Sequence, residues 1–326
     1  MSPKHSTKKV VYAALAGNLA IAVTKFVAAA FTGSSAMLSE GVHSLVDTIN
    51  ELLLLYGMRR ATKRPDADHP FGYGRELYFW SFIVALLVFA LGAGVSIYEG
   101  VSHVLSPEPI QKPFINYLVL VASFAFEGTT WWIALKAFRA DKGKQGYFEA
   151  FRNSKDASTF TVLFEDSAAL VGLLIALLGI AAAQALAMPQ LDGAASIGIG
   201  IVLTVSSALL ARETKGLLIG EAAHPQLTRS ILRIAAADPA ILAANGVLTT
   251  QMGPDHVVAA LSAEFHDTLT TMQIEASVNR IEAAIKATHP TVSVLFVKPQ
   301  TADTWRRRIA GLEAEAEAEA EAEAED

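Results

Sequence analysis

The sequence predicts an α-helical membrane protein, with six transmembrane helices followed by a small cytoplasmic α+β domain. Three observations carry that prediction. The 326 residues are 52% hydrophobic and only 18% charged, with positive mean hydropathy, too apolar for a soluble chain of this length. Six stretches reach the roughly 17–25 apolar residues that a bilayer core asks of a helix. After about Gly220 the long apolar runs stop and the polarity of a small soluble domain begins.

The six stretches run from Val10 to Phe31, Ala36 to Met58, Leu77 to Val101, Phe114 to Phe138, Thr159 to Ala183 and Ala194 to Ala211. Helices follow because backbone polar groups in lipid must be satisfied within the segment. The first stretch is too long for a signal-peptide core and further spans follow it, so it reads as a retained helix. KHSTKK, RRATKRPDADHPFGYGR, AFRADKGKQGYFEAFRNSKD and RETK are rich in Lys and Arg, whereas TGSS, SPEPIQKP and AMPQLDG hold a single lysine, Lys112. By the positive-inside rule both termini are cytoplasmic, as an even number of spans requires.

From His224 to Gln300 the patterning changes. HPQLTRSILRIAAADPAI reads as a helix, VLTTQMGPDHVVAALSAEF as a hairpin turning near Gly253 and Pro254, TTMQIEASVNRIEAAIKATHP as a helix and TVSVLFVKP as a strand. The order αββαβ suits a ferredoxin-like domain with helices on one face of a sheet. The closing EA repeat has like charges at i, i+2 and i+4 and no apolar face, which predicts a disordered tail. The domains are therefore 1–220 (transmembrane), 221–300 (cytoplasmic) and 301–326 (acidic tail). The tail also explains the formal charge: without the eight negative charges of its last fourteen residues, −6 becomes +2.

There is no cysteine, which excludes disulfides, thiolate metal sites and cysteine nucleophiles. Any metal must be held by nitrogen and oxygen. No P-loop and no HExxH is present, which argues against ATP-driven pumping and against a zinc hydrolase. No catalytic constellation, cofactor or nucleic-acid partner is expected.

The second apolar stretch contains SEGVHSLVDTINE, where His43 and Asp47 lie four residues apart and share one helix face, with Asn50 and Glu51 continuing it. An imidazole and a carboxylate at that spacing can clamp a divalent cation; they can also form a satisfied polar stripe against a neighbouring helix. Ionisable groups inside a bilayer are expensive and usually functional, which favours the first reading. Tetrahedral Zn²⁺ needs four ligands. The fifth stretch supplies Glu165 and Asp166, which point about 100° apart, so only one of them is expected to face the His43–Asp47 pair. The alternative for these carboxylates is to reach water at the interface or to pair with Lys155. Lys25 either snorkels or pairs with a carboxylate, Glu127 joins a proton path or a polar network, and Glu40 and Glu99 lie near helix ends where water is available. The glycines of VGLLIALLG and GIGI are expected to allow close helix packing.

The order of six helices, SEGVHSLVD, DADHPFGYGRE before the third helix, the acidic position in the fifth and the αββαβ tail together resemble the cation diffusion facilitator family, closest to its branch around zinc transporter nine. The resemblance covers about Val10 to Pro299. It implies that His43, Asp47 and Asp166 are transport ligands. It also marks a departure at Val162, four residues before Asp166, where zinc-transporting relatives usually carry His or Asp; Glu165, a water or a different metal geometry would make up the difference. Asp66, Asp68 and His69 are the remnant of a loop site in which a frequent histidine is Tyr73 here. His224, His256, His266 and His289 are scattered and expected to be surface or capping residues. The resemblance further implies export of a divalent cation, with Zn²⁺ the first choice, in exchange for protons, by a homodimer embedded in lipid. A histidine, whose ordinary pKa lies near physiological pH, suits that exchange. The alternative is a membrane-anchored metal sensor or scaffold. The expected location is a bacterial cytoplasmic membrane, since no Arg-rich transit peptide opens the chain.

Overall fold

A computed structural model of the protein describes residues 5–142, 146 and 157–325. Lys155 and most of the basic loop around it lie outside the described residues. The chain forms two compact units, one of Met1–Lys63 with Arg75–Leu218 and one of Arg64–Gly74 with Ile219–Asp326.

The first unit is helical: α1 (His5–Thr32), α2 (Ser35–Ala61), α3 (Glu76–Leu87), α4 (Gly94–Leu105), α5 (Phe114–Lys142), α6 (Ala157–Ala185) and α7 (Gln190–Ile219). A π-helical turn, Val88–Ala93, joins α3 to α4 so that they form one continuous rod. Among the described residues five spans are both long and apolar enough to cross a membrane: Leu15–Thr32, Glu76–Leu105, Phe114–Lys136, Thr161–Ala185 and Gln190–Ile219. The protein is a multi-pass membrane protein. α2, expected as a sixth span, has the length but not the hydropathy, because Ser35, Ser39, Glu40, His43, Ser44, Asp47, Thr48, Asn50 and Glu51 interrupt it. Its position explains how it tolerates them. α2 packs against α1, α3, α4 and α6, and Glu40, His43, Ser44 and Asn50 are buried in protein.

Small residues let the helices meet. A Cβ at Gly100 of α4 would strike the backbone of Gly193 in α7, and one at Gly193 would strike Gly100 and Val104, so the two backbones touch. Gly179 and Gly200 make similar approaches to Ala195 and Ile97, the close packing expected of VGLLIALLG and GIGI. Gly193→Val forces those backbones apart, and overpacking of this kind costs about 1–3 kcal/mol. It should lower the thermal unfolding midpoint of the detergent-purified protein, and an unchanged midpoint would show that the contact is not tight.

The second unit holds α8 (Pro225–Ala236), β1 (Ile241–Gly253), β2 (His256–Phe265), α9 (Thr271–Thr288), β3 (Val292–Pro299) and α10 (Ala302–Glu325). The αββαβ order is present. β1 and β2 form an antiparallel hairpin turning at Pro254 and Asp255, β3 joins β2 in parallel after α9, and the sheet order is β1-β2-β3. Ile231, Leu261, Ile281, Ile285 and Val292 fill the core between sheet and helices. Thr270 and Gln273 form a capping box at the start of α9, and His224 accepts the Gln226 amide to cap α8. Asp238 ties the end of α8 to α9 by accepting hydrogen bonds from Ser277 and Arg280. Partial burial works to raise its pKa, but the bonds from Arg280, the Ala240 amide and Ser277 outweigh it and hold the carboxyl below its usual range.

The tail expected to be disordered is instead the helix α10. Like-charge spacing opposes a helix by only a few tenths of a kcal/mol per pair. Alanine at alternate positions offsets it with the best helix propensity of any residue. The first turns are also anchored: the Ala302 amide donates to Glu264, Trp305 stacks against Gly246 of β1, and Arg307 pairs with Asp303.

Candidate metal site

Within the helical unit α1, α2, α5 and α6 surround a cavity of about 70 Å³. Its wall includes five carboxylates, those of Asp47, Glu51, Glu127, Glu165 and Asp166, together with Asn18, Ser44, Thr130 and Val162. Such a space is large enough for an ion together with a few waters. Glu165 and Asp166 both line it. Asn50 donates to Glu165 at 2.7 Å, and Asp166 Oδ2 is buried without a hydrogen-bond partner among the described residues.

His43 and Asp47 share a face of α2 as their spacing requires, with Nδ1 3.4 Å from Oδ1. His43 is 1% exposed and not on the cavity wall, and neither ring nitrogen has a hydrogen-bond partner among the described residues. A buried, unsatisfied imidazole beside a carboxylate costs free energy. Among the described residues no three His, Asp or Glu side chains converge closely enough to hold one ion as they stand. The carboxylates are held apart by other donors: Glu165 by Asn50, Glu51 by Asn18 and Glu127 by Lys25.

Lys25 is fully buried and does not snorkel; it pairs with carboxylates, the other expectation. Its ammonium donates to Glu40 at 3.0 Å, to Ser44 at 2.8 Å and to Glu127 at 2.9 Å. Glu40, expected near water, is therefore wrongly placed by linear distance to the helix end: it is 0% exposed and its Oε1 abuts Gly172. Glu127 belongs to this polar network and reaches the cavity from it.

One positioning residue was missed altogether. Asp192, 0% exposed in the first turn of α7, accepts from the Ser34 hydroxyl at 2.7 Å and the Ser35 amide at 2.6 Å. Its carboxylate thus satisfies the free amide end of α2 and the positive pole of that helix, fixing the helix that carries His43 and Asp47. Only its place near a loop hinted at it; the sequence distance to Ser34 is 158 residues.

The accessory positions show little convergence. In the loop Asp66 accepts from Tyr73 at 2.7 Å and lies 3.5 Å from His69, whose ring stacks on Tyr73, so the tyrosine occupies the carboxylate. In the same unit His289 bonds Ser230 at 2.7 Å and His224 caps α8, while His256 and His266 are exposed.

Comparison with known proteins bears on the whole helical unit. The family model described as the cation efflux transmembrane domain matches residues 11–219. Over 265 residues the chain is 33% identical to the mitochondrial proton-coupled zinc antiporter of Xenopus laevis, covering 81% of this chain and 47% of that protein. Over 256 residues it is 28% identical to metal tolerance protein C4 of Arabidopsis thaliana, 78% of this chain and 56% of that one. The cation-efflux pump FieF of Cronobacter sakazakii is 27% identical over 288 residues, 87% of this chain and 90% of the pump. The chain spans about half the length of the antiporter and of the plant protein.

Proposed function

We propose, from the premise that the chain belongs to the cation efflux (cation diffusion facilitator) family, that it is a secondary transporter moving a divalent cation, Zn²⁺ first among candidates, out of the cytoplasm in exchange for protons. The observation that carries this reading is the cavity walled by five carboxylates inside apolar helices, with the single ammonium of Lys25 behind it. Buried carboxylates in that excess require compensation, and a divalent cation or protons supply it.

Because cation and protons compete for the same oxygens, binding one releases the other. That competition is the exchange. Asp47 and Asp166 are the ligands proposed to hold the ion, with His43 beside Asp47 and Glu165 beside Asp166. Oxygen and imidazole donors without sulfur suit Zn²⁺ and its divalent neighbours and disfavour Cu⁺. The relatives' names, a proton-coupled zinc antiporter and a cation-efflux pump, point the same way. The reading includes six spans with both termini cytoplasmic, a bacterial cytoplasmic membrane, a ferredoxin-like domain after them and pairing with a second copy.

The test is uptake of Zn²⁺, Co²⁺, Mn²⁺ and Fe²⁺ into proteoliposomes across an imposed pH gradient. Flux that requires the gradient supports the exchanger and names its ion. No flux of any metal, in protein shown to be folded, overturns it in favour of a sensor or scaffold.

A further inference from the structure

Val162 lines the cavity one helical turn before Asp166, so the position on α6 best placed to add a donor beside that carboxylate is apolar. Asp47 and Glu51 approach from α2, and Glu165 and Asp166 from α6. Glu127 approaches from a third, α5, and lines the same cavity. It is 9% exposed, and its Oε2 is buried without a hydrogen-bond partner among the described residues while Oε1 accepts from Lys25 at 2.9 Å. An orphaned carboxylate oxygen at the wall of a polar cavity costs free energy unless something fills the cavity and uses it.

Building on the transport reading, we infer that Glu127 is a ligand of the transported divalent cation, taking through Oε2 the coordination place that Val162 leaves empty on α6. Lys25 is the residue that holds it. Its ammonium grips the other oxygen and is itself fixed by Glu40 and by Ser44, the neighbour of His43. Ligating groups are usually oriented by such an outer hydrogen bond. The arrangement lets one carboxylate face a fixed cation on one side and a mobile one on the other, so Glu127 need not leave Lys25 to bind.

The experiment is equilibrium Zn²⁺ binding by the full-length, detergent-purified protein against a competing chelator, for the wild type, Asp47→Asn, Glu127→Gln, Val162→His and the Glu127→Gln/Val162→His double variant. Glutamine keeps the shape and an acceptor for Lys25, so the fold is retained. Glu127→Gln should weaken binding at least about tenfold, and Val162→His should recover most of that loss while adding little to the wild type. Binding unchanged in Glu127→Gln, or a histidine at 162 that raises affinity equally in both backgrounds, overturns the assignment of Glu127. A wild type that binds no Zn²⁺, or an Asp47→Asn protein that binds as tightly as the wild type, overturns the transport site itself and this ligand with it.

Discussion

Replacing Asp47 with alanine should abolish gradient-driven metal uptake, a loss of roughly 100-fold or more, since removing a charged ligand exceeds the 10–100-fold typical of disturbing its supports. Asp47 is the residue on α2 that both lines the cavity and touches the His43 ring. Its side chain is 21% exposed and its Oδ1 makes no hydrogen bond among the described residues, so truncation removes no packing that α2 depends on. Expression and unfolding midpoint should therefore stay near those of the wild type. Proteoliposome uptake under an imposed pH gradient is the measurement. Wild-type flux in this variant would remove the cavity from the transport path, whatever else the helices do. Asp47→Asn separates two contributions: it retains shape and hydrogen-bonding capacity but not charge, and should fail nearly as completely if charge neutralisation drives binding.

Asp47 was reachable from the sequence because its evidence is local. Four residues separate it from His43, and one helix turn converts that spacing into a shared face. The αββαβ order was legible for the same reason, through short-range periodicity and a turn signal near Gly253 and Pro254. What escaped depends on contacts that periodicity does not encode. Lys25 finds Glu40 15 residues away and Glu127 102 residues away, and only the packing of α1 between α2 and α5 brings them together. Glu40 was misplaced because a helix end usually meets water, whereas the start of α2 is closed over by Asp192. α10 escaped because charge repulsion is written in the repeat itself, while its anchor, Trp305 against Gly246, lies across the domain. Local pattern identified the ligands proposed on α2; tertiary packing decides which carboxylates join them.

Lys25→Met should be the most destabilising single change in the helical unit. The side chain is fully buried and its ammonium makes three hydrogen bonds, two of them to carboxylates. Methionine fills much of the same volume, so the effect is electrostatic rather than a cavity. Glu40 and Glu127 are left facing each other without a cation, and breaking a buried ion pair from one side costs about 3–5 kcal/mol. Lys25→Arg should recover only part of it, because a planar guanidinium does not reproduce the tetrahedral donor set that meets Glu40, Ser44 and Glu127 at once. The triple variant Lys25→Met/Glu40→Gln/Glu127→Gln removes the stranded charges along with the cation, and replacing a whole buried network is often close to neutral. It should regain most of the lost unfolding midpoint in detergent, yet remain inactive in transport if Glu127 holds the metal. A Lys25→Met protein as stable as the wild type would show that the ammonium is not what balances these carboxylates. A triple variant that regains both stability and flux would reduce the Lys25 network to scaffolding and leave Asp47 and Asp166 to hold the ion without it.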